Sequence, residues 1–452
     1  MIELSLPPAD VEAKISAAAT PFKPRGSNQI GMRQYNERVV LHAIRLHGSL
    51  PKADLARLTQ LSTQTVSLII DRLHADGLVV KQAAVRGKVG QPSVPMALNP
   101  DGAFSIGIKI GRRNCDTLLL DFTGQVRERA SLSYDFPDPQ VLFAHLQEQL
   151  SSIPARLGPV LAERIAGVGM AAPLSLGGWH SLLGVSAART HAWDTIDIAA
   201  QVQAMTSVPV QLVKDTAAAC VAELVAGRGR SVKSFVYLFI DTFIGGGVVI
   251  DSQWRSGLRG NAGAIGSMPL HAAGQGGRTS AAALSSLANV PSSETVREPG
   301  NGASSGATIG TAPPAQVLSV ASLYLLEQRF AAAGLDASAC YDDRALTGDF
   351  AQHTQAWLQE AASAIALVVQ NAACVLDMDA VIIDGSLGRR LLSALRQTLA
   401  TALQAYSWEG ISQPEVLLGA IGADARAMGG ALLPLYSSFA PDRELFLKLD
   451  RV

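Results

Sequence analysis

The sequence predicts an α/β protein in which a winged helix-turn-helix precedes a much larger region of alternating strands and helices. Two patterns support this: three short amphipathic helices followed by two strands before residue 100, and a strand-and-helix alternation from there onward. The chain has 452 residues, more than one hydrophobic core usually serves, so several domains are expected.

The composition is that of a globular protein. Apolar residues make up 48% and charged residues 17% of the chain, and the apolar runs are shorter than a membrane span. The N-terminal stretch MIELSLPPADVEAK lacks the basic start and apolar core of a signal peptide. We therefore expect a soluble, cytoplasmic protein without a membrane partner. Its four cysteines lie too far apart for a disulfide framework or a zinc knuckle and are expected to be reduced thiols: Cys115, Cys220, Cys340 and Cys374.

Charge is distributed unevenly along the chain. The net charge is −1, yet residues 31–100 contain nine Lys or Arg residues against four Asp or Glu residues. Such a basic segment on a neutral whole suggests an anionic partner for that end. Residues 1–30 show no periodicity and are interpreted as an N-terminal arm without an assigned function.

Three helices are predicted between residues 36 and 77. The first covers NERVVLHAIRLHG and ends at Gly48. Ser49 is expected to cap the second, which contains ADLARLTQL, with Pro51 in its first turn. Ser62 or Thr63 is expected to cap the third, TQTVSLIIDRLHADG, whose apolar residues recur at helical spacing.

A wing and a DNA-reading helix follow from this pattern. Residues 78–82 and 94–98 are predicted strands, and the loop between them, RGKVGQPS, is basic and rich in glycine. The third helix has a polar start, as recognition helices in the major groove have, although a polar face can also be merely solvated. Gln64 can pair with adenine, Arg72 is placed to meet a phosphate, and the wing tip could enter the minor groove or grip the backbone. The predicted DNA-binding residues are Thr63, Gln64, Thr65, Ser67, Arg72, Arg86 and Lys88.

After Pro100 the pattern predicts two α/β lobes. Strands and helices alternate over residues 101–230, and a second lobe over 231–423 begins with two apolar strands around a Gly-rich turn. A final helix over 424–437 is expected to pack back on the first lobe. The low-complexity stretch 289–314 is interpreted as a mobile loop.

An ordered series of motifs runs through the chain after the wing: GIKIG, GVGMAAP, PVQLVKDTAAACVAE, FIGGGVVI and GNAGAIGSMP. This series resembles the ROK family of repressors and sugar kinases over residues 31–437. The resemblance implies an actin-like, ribonuclease H-like fold of two lobes, with sugar bound in the cleft between them. In the kinases of the family, two Gly-rich turns also hold the phosphates of ATP.

Both phosphate turns depart from the kinase pattern. Where the kinases have Asp-x-Gly-Gly-Thr, this chain has Lys109, Gly111, Arg112 and Arg113, so no carboxylate remains to place Mg²⁺. The arginines fill the phosphate space, or bind another anion. In the second turn, Asp241, Thr242 and Phe243 replace Gly-Thr-Gly, adding a negative charge and a bulky ring. We expect no kinase activity, no catalytic residue and no cofactor.

The sugar pocket is only partly retained. Lys214 and Asp215 stand where the kinases have Asn-Asp, and Asp215 could bind a hydroxyl, pair with Lys214 or cap a helix. Ala264 and Ser267 replace the family's Glu and His, which leaves two sugar contacts missing. AAGQGGRTSAA replaces the cysteine cluster, so no zinc site is expected, and His271 is interpreted as a surface residue. The predicted ligand-binding residues are Lys214, Asp215, Ala264 and Ser267.

Together these observations predict a transcriptional regulator of carbohydrate metabolism, most simply a repressor. A sugar or another small molecule in the cleft would move the lobes and change the spacing of the DNA-reading domains. A palindromic operator and a homodimer or homotetramer are expected, because one helix-turn-helix covers one half-site. Two alternatives remain open: a sugar kinase with a vestigial DNA-binding domain, and a regulator that no longer binds sugar.

Overall fold

The computed structural model describes residues 29–84, 93–173, 185–270 and 315–441. Several features singled out in the sequence lie outside these residues: most of the N-terminal arm, Arg86, Lys88, His271 and the stretch 289–314.

The N-terminal domain packs three helices against a small antiparallel sheet with strand order β1-β3-β2. Apolar side chains from all three helices form its core, among them Ile44, Leu55 and Ile70. The predicted winged helix-turn-helix is therefore present. Its elements are α1 (Gln29–His47), β1 (Ser49–Pro51), α2 (Lys52–Thr59), α3 (Thr63–Ala75), β2 (Val79–Lys81) and β3 (Pro95–Leu98).

Local structure differs from the prediction at the second helix. Ser49 does not cap it, because Ser49 lies in β1 and pairs with Ala97 of β3. The strand takes up the residues between the first two helices, so α2 begins only at Lys52 and has no side-chain cap. The third helix is capped as predicted: the Ser62 hydroxyl accepts a hydrogen bond from the Thr65 amide at 3.1 Å.

The first lobe is built on a five-stranded mixed sheet with the order β6-β5-β4-β7-β8. The first three strands are antiparallel neighbours, whereas β4, β7 and β8 run parallel. Its elements are β4 (Phe104–Ile110), β5 (Asn114–Asp121), β6 (Val126–Ser133), α4 (Pro139–Leu157), α5 (Pro159–Ala162), β7 (Ile165–Ala172), α6 (Ala187–His191), α7 (Ile198–Gln203) and β8 (Val210–Lys214).

The second lobe repeats this arrangement with the order β11-β10-β9-β12-β13, again three antiparallel strands followed by two parallel ones. Its elements are β9 (Phe235–Ile240), β10 (Ile244–Ile250), β11 (Gln253–Arg255), α9 (Leu318–Ala321), α10 (Leu323–Ala332), α11 (Phe350–Leu376), β12 (Ala380–Gly385), α12 (Arg389–Leu403) and β13 (Glu415–Leu418). Helix α11 is long and apolar enough to cross a membrane, but Trp357, Ile365 and Val369 are buried in the core of this lobe.

Two helices lie between the sheets and join the lobes: α8 (Asp215–Ala226) and α13 (Ala425–Phe439). They cross at very short range, because a Cβ atom at Gly429 would overlap the backbone carbonyl of Ala218. Helix α13 also lies directly on β4 and β7 of the first lobe. Close packing through small residues therefore makes α8 and α13 one middle layer.

Candidate ligand cleft and DNA interface

Four chain segments meet at the end of the cleft where both central helices begin. They are the β4–β5 turn, the junction of β8 with α8, the β9–β10 turn and the first turn of α13. The first and last of these segments lie more than 300 residues apart in sequence, and a single side chain, Arg426, connects three of the four. Its surroundings decide what the cleft can bind.

Arg426 forms ion pairs with carboxylates from both lobes. Its guanidinium lies 3.3 Å from Asp215 at the start of α8 and 2.5 Å from Asp241 in the β9–β10 turn. The same group stacks over the Phe239 ring at 5.1 Å, and its side chain is only 10% exposed. Among the described residues no acceptor reaches its Nε atom. Arg426 thus holds the two lobes together from within the cleft.

The carboxylate of Asp215, a predicted ligand-binding residue, is already engaged. One oxygen accepts a hydrogen bond from the Thr216 amide at 2.8 Å, and the other faces Arg426. Lys214 lies beside it, and burial lowers the pKa of its ammonium group while Asp215 opposes that change. The ion-pair partner of Asp215 in this structure is therefore Arg426 rather than Lys214.

Lys109 fills the first turn. Its ammonium group donates to Asn114 at 2.5 Å and lies 3.3 Å from Asp116. A Cβ atom at Gly111 would lie 2.7 Å from Lys109 Cε, so the lysine packs directly on the turn. Burial and the charge of Arg426 lower the pKa of Lys109. A buried cation thus stands at the position where ROK-family kinases carry a carboxylate.

The two arginines of this turn form ion pairs with a carboxylate side chain of the protein itself. Arg112 and Arg113 lie 3.1 Å and 3.2 Å from the carboxylate of Glu327 on α10, which the Tyr341 hydroxyl also contacts at 2.6 Å. The Glu327 side chain is only 5% exposed. The arginines therefore form a second ion-pair link between the lobes.

The second turn closes the same end of the cleft with an apolar contact. Phe243 packs against Tyr324 at 6.2 Å between ring centroids and touches the core of the first lobe. The glycines that follow are required by packing: a Cβ atom at Gly245 would lie 2.7 Å from Thr216 Oγ1, and one at Gly247 would overlap Cys220. The Gly-rich pattern of β10 thus accommodates α8.

The two remaining predicted ligand residues lie on the loop that comes after β11 in the chain. This loop runs alongside the part of β10 that is not paired with β11. A Cβ atom at Gly266 would overlap the Ile244 carbonyl, so the loop lies against the strand. Ala264 is half-buried and Ser267 is exposed. Within the described part of the chain, no side-chain hydrogen bond links Ser267 to Lys214 or Asp215. The structure joins Asp215 to Arg426, which the sequence did not single out.

Cysteines and metal ligands add nothing to this site. Three cysteines are buried, and Cys374 is exposed. In the part of the chain that the structure describes, no three His, Cys, Asp or Glu side chains cluster as metal ligands.

The predicted DNA-reading helix α3 exposes only part of the predicted set. Thr63 and Gln64 face solvent. The Thr65 hydroxyl lies 2.8 Å from the capping Ser62 hydroxyl, Ser67 accepts a hydrogen bond from Lys52, and Arg72 lies 3.3 Å from Glu37 on α1. Among the described residues of the predicted set, Thr63 and Gln64 are therefore best placed to meet bases, whereas Thr65, Ser67 and Arg72 also serve the domain itself.

Two further residues of α3 share the exposed face and were not singled out in the sequence. Leu68 lies one turn after Gln64 and is 59% exposed, a suitable partner for a thymine methyl group. Asp71 is also exposed, and its hydrogen bond from Lys52, 2.9 Å long, lowers its pKa. The four-residue spacing of Leu68 from Gln64 could have identified Leu68 from the sequence. The contact between Lys52 of α2 and Asp71 of α3 could not, because it depends on how the two helices pack.

Comparison with known protein families gives two matches. Residues 105–282 match the ROK family, and residues 34–88 match the MarR family. A putative xylose repressor of Caldicellulosiruptor sp. (strain Rt8B.4) is 24% identical over 248 residues, covering 54% of this chain and 60% of the relative. The xylose repressor of Bacillus subtilis (strain 168) is 22% identical over 244 residues, covering 54% and 62%. The match thus spans about 60% of the length of these relatives.

Solved structures share the fold. A ROK family transcriptional regulator described as a homolog of the E. coli MLC protein has a TM-score of 0.60 at 18% identity, covering 91% of this chain and 98% of its own. A ROK family glucokinase from Streptomyces griseus, in complex with glucose and AMPPNP, has a TM-score of 0.51 at 17% identity, covering 73% and 99%. These similarities confirm the predicted fold, a winged helix-turn-helix followed by two lobes of the sugar-kinase type.

We predict that Arg426→Met destabilises the protein strongly. The change leaves Asp215 and Asp241 buried without their counter-ion, and breaking a buried pair costs about 3–5 kcal/mol. Urea denaturation measures the free energy of unfolding. Arg390→Met is the matched control, because Arg390 and its partner Asp343 are both exposed, and a change of at most about 0.5 kcal/mol is expected there.

The difference between wild type and Arg426→Met should shrink in acid. Burial alone would raise the pKa of Asp241, but Arg426 and Lys109 lower it overall. A carboxylate with a lowered folded-state pKa stabilises the protein above its unfolded pKa and loses that contribution as pH falls through the folded pKa. Equal destabilisation by both arginine variants, or a difference unchanged down to pH 3, would contradict this role of Arg426.

Proposed function

From a chain that joins a ROK-family domain to a MarR-like winged helix-turn-helix, we propose a DNA-binding transcriptional repressor. The observation that carries the proposal is the exposed start of α3, where Thr63 and Gln64 project from a helix held by a complete winged domain. The relatives named as xylose repressors support the same function.

The proposed organisation follows from this function. Residues 31–100 bind DNA, residues 101–230 with the helix at 424–437 form one lobe, and residues 231–423 form the other. The protein acts in the cytoplasm as a homodimer or homotetramer on a palindromic operator, because each winged domain covers one half-site. DNA contacts come from Thr63, Gln64, Thr65, Ser67 and Arg72, and from Arg86 and Lys88 on the wing.

Replacing Gln64 by Ala should weaken binding to the selected operator and relax its sequence preference. A bidentate contact of Gln with adenine contributes about 1–3 kcal/mol of discrimination, equivalent to roughly 5–150-fold in affinity. Selection of bound DNA from a random pool identifies the operator, and fluorescence anisotropy at fixed salt then measures both proteins. Gln34→Ala is the control, because Gln34 is an exposed residue of α1. Absence of any sequence preference in the wild type would refute operator recognition.

We further propose that the ROK domain does not transfer phosphate. Lys109 packs on the first turn, Arg112 and Arg113 are paired with Glu327, and Phe243 occupies the second turn. A nucleotide would have to break the ion pairs of Arg112 and Arg113 with Glu327 and displace Phe243 before its phosphates could enter. The two sequence relatives named above are a putative and a named xylose repressor, which supports this proposal, whereas the glucokinase is similar in fold.

The wild-type protein should show no ATP turnover above background with a panel of hexoses, pentoses and amino sugars. A coupled assay for ADP release measures this, with a commercial glucokinase as the positive control. Sugar-dependent ADP release that tracks the protein through purification would support the kinase alternative.

The cleft remains the proposed effector site, with Lys214, Asp215, Ala264 and Ser267 as the ligand contacts. A hydroxylated effector would compete with Arg426 for the carboxylate of Asp215, and because Arg426 also pairs with Asp241 of the other lobe, a shift of its guanidinium would loosen the contact between the lobes. Binding in the cleft would thereby reach α13, the helix that carries Arg426.

A sugar that binds the cleft should raise the unfolding temperature of the wild type but not that of Asp215→Asn. The names of the relatives make xylose the first sugar to test. A ligand at 100 times its Kd stabilises the folded state by about 2.7 kcal/mol, well within the range of thermal-shift measurement. Asp343→Asn, an exposed pair member on the second lobe, serves as the control.

A second candidate is a repressor without a sugar effector. The pairing of Asp215 with Arg426 favours it, because a carboxylate that already has a buried counter-ion gains little from a neutral hydroxyl. Failure of every sugar to shift the wild-type unfolding temperature, combined with intact operator binding, would establish this candidate over the first.

A further inference from the structure

A cavity of about 90 Å³ lies where the winged domain meets the two central helices. One wall belongs to α1 and includes His42 and Arg45. The opposite wall is formed by α8, α13 and the segment around Arg230. The cavity is therefore a joint between domains, separate from the cleft that holds Arg426.

Arg45 places a positive charge in this wall without a matching anion. Its guanidinium lies over the Phe122 ring at 5.1 Å, and within the described ranges no carboxylate comes within ion-pair distance. Asp121 acts on it only through its field, because that carboxylate is held by Arg127 at 2.7 Å and by Thr123. Burial lowers the pKa of Arg45 to about 10. Such a cation gains from an anionic ligand.

The rest of the described lining is basic or apolar apart from Ser252 and Tyr436, whose hydroxyl groups are uncharged. Arg230 approaches from the other wall and donates to the Leu46 carbonyl at 2.6 Å. Among the described residues no acidic side chain lines the cavity, and Leu224, Leu432 and Phe439 supply much of its remaining surface. A ligand that fits this lining has one negative group and a short apolar body.

We propose that the cavity binds a small monocarboxylate. The carboxylate would pair with the Arg45 guanidinium, and the apolar tail would lie against Leu224, Leu432 and Phe439. A charge-assisted hydrogen bond to a planar guanidinium is among the stronger polar interactions in proteins. The small volume selects short-chain acids over large ligands.

A ligand at this position bears directly on the DNA-reading domain. Arg45 lies beside Ile44, which is fully buried in the core of the winged domain, and the other wall carries Leu435 of α13, which packs on the same core. An occupied cavity would therefore fix the angle between α1 and α13. This consequence for DNA binding rests on the proposed function, whereas ligand binding itself does not.

Isothermal titration calorimetry of the full chain, without DNA, tests the site with butyrate and hexanoate against 1-butanol and 1-hexanol. We expect saturable binding of one hexanoate per chain and binding of 1-hexanol weaker by about tenfold or more, because the alcohol cannot pair with Arg45. Arg45→Met, which keeps an unbranched apolar side chain over Phe122, should weaken hexanoate binding to the same extent. Arg33→Met, an exposed position on the same helix, should leave it unchanged.

A second variant, Leu46→Trp, fills the cavity from the α1 side and should abolish binding while Arg45 is retained. Any of three results would overturn the proposal. These are equal binding of acid and alcohol, hexanoate binding unaltered in Arg45→Met or Leu46→Trp, and no saturable heat with either acid in the wild type. Operator affinity measured in parallel separates the two questions: hexanoate that binds without changing DNA affinity refutes the coupling and leaves the site standing.

Discussion

The buried guanidinium of Arg426 is the constraint on which the arrangement of the two lobes depends. It neutralises Asp215 from one lobe and Asp241 from the other, and both carboxylates would be costly to bury alone. Lys109 adds a second cation to the same cluster. If the lobes moved apart, water would hydrate each of these charged groups separately. The arrangement in this structure, here called the closed form, replaces those water contacts with ion pairs between the lobes. An effector acts on this structure only by binding one of the two forms better than the other.

Close backbone packing makes the ion pairs effective. Gly429 of α13 lies against the Ala218 carbonyl of α8, so the helices that bear Arg426 and Asp215 cannot slide freely past each other. Glycine in β10 serves the same layer, since α8 covers Gly245 and Gly247. The glycine pattern of β10 is thus explained by packing alone.

Local features of the fold were predictable from the sequence, and long-range contacts were not. The third helix, its Ser62 cap and most strands follow from the hydrophobic periodicity and the turn residues of the sequence. Both signals act between residues that lie within about a dozen positions of each other. The sequence offered a place at the start of a helix as one role of Asp215, but its partner Arg426 lies more than 200 residues away in the predicted final helix and was not singled out. Likewise, Glu327 as the anion of Arg112 follows from tertiary structure alone. Strand β1 was missed because Ser49 and Pro51 also suit the start of a helix.

Helix α13 is the physical connection between the cleft and the winged domain. It begins beside Arg426 and ends at Phe439, which packs edge-on against Phe122 at 4.8 Å beneath the winged domain. Its 15 residues, with Pro434 inside the helix, correspond to about 22 Å. Because Gly430 and Ala431 lie tightly on β7 and β4, any shift of the helix must carry the first lobe with it or tilt the winged domain against it. A displacement at either end of α13 would therefore change the angle of α3 without unfolding any element between them.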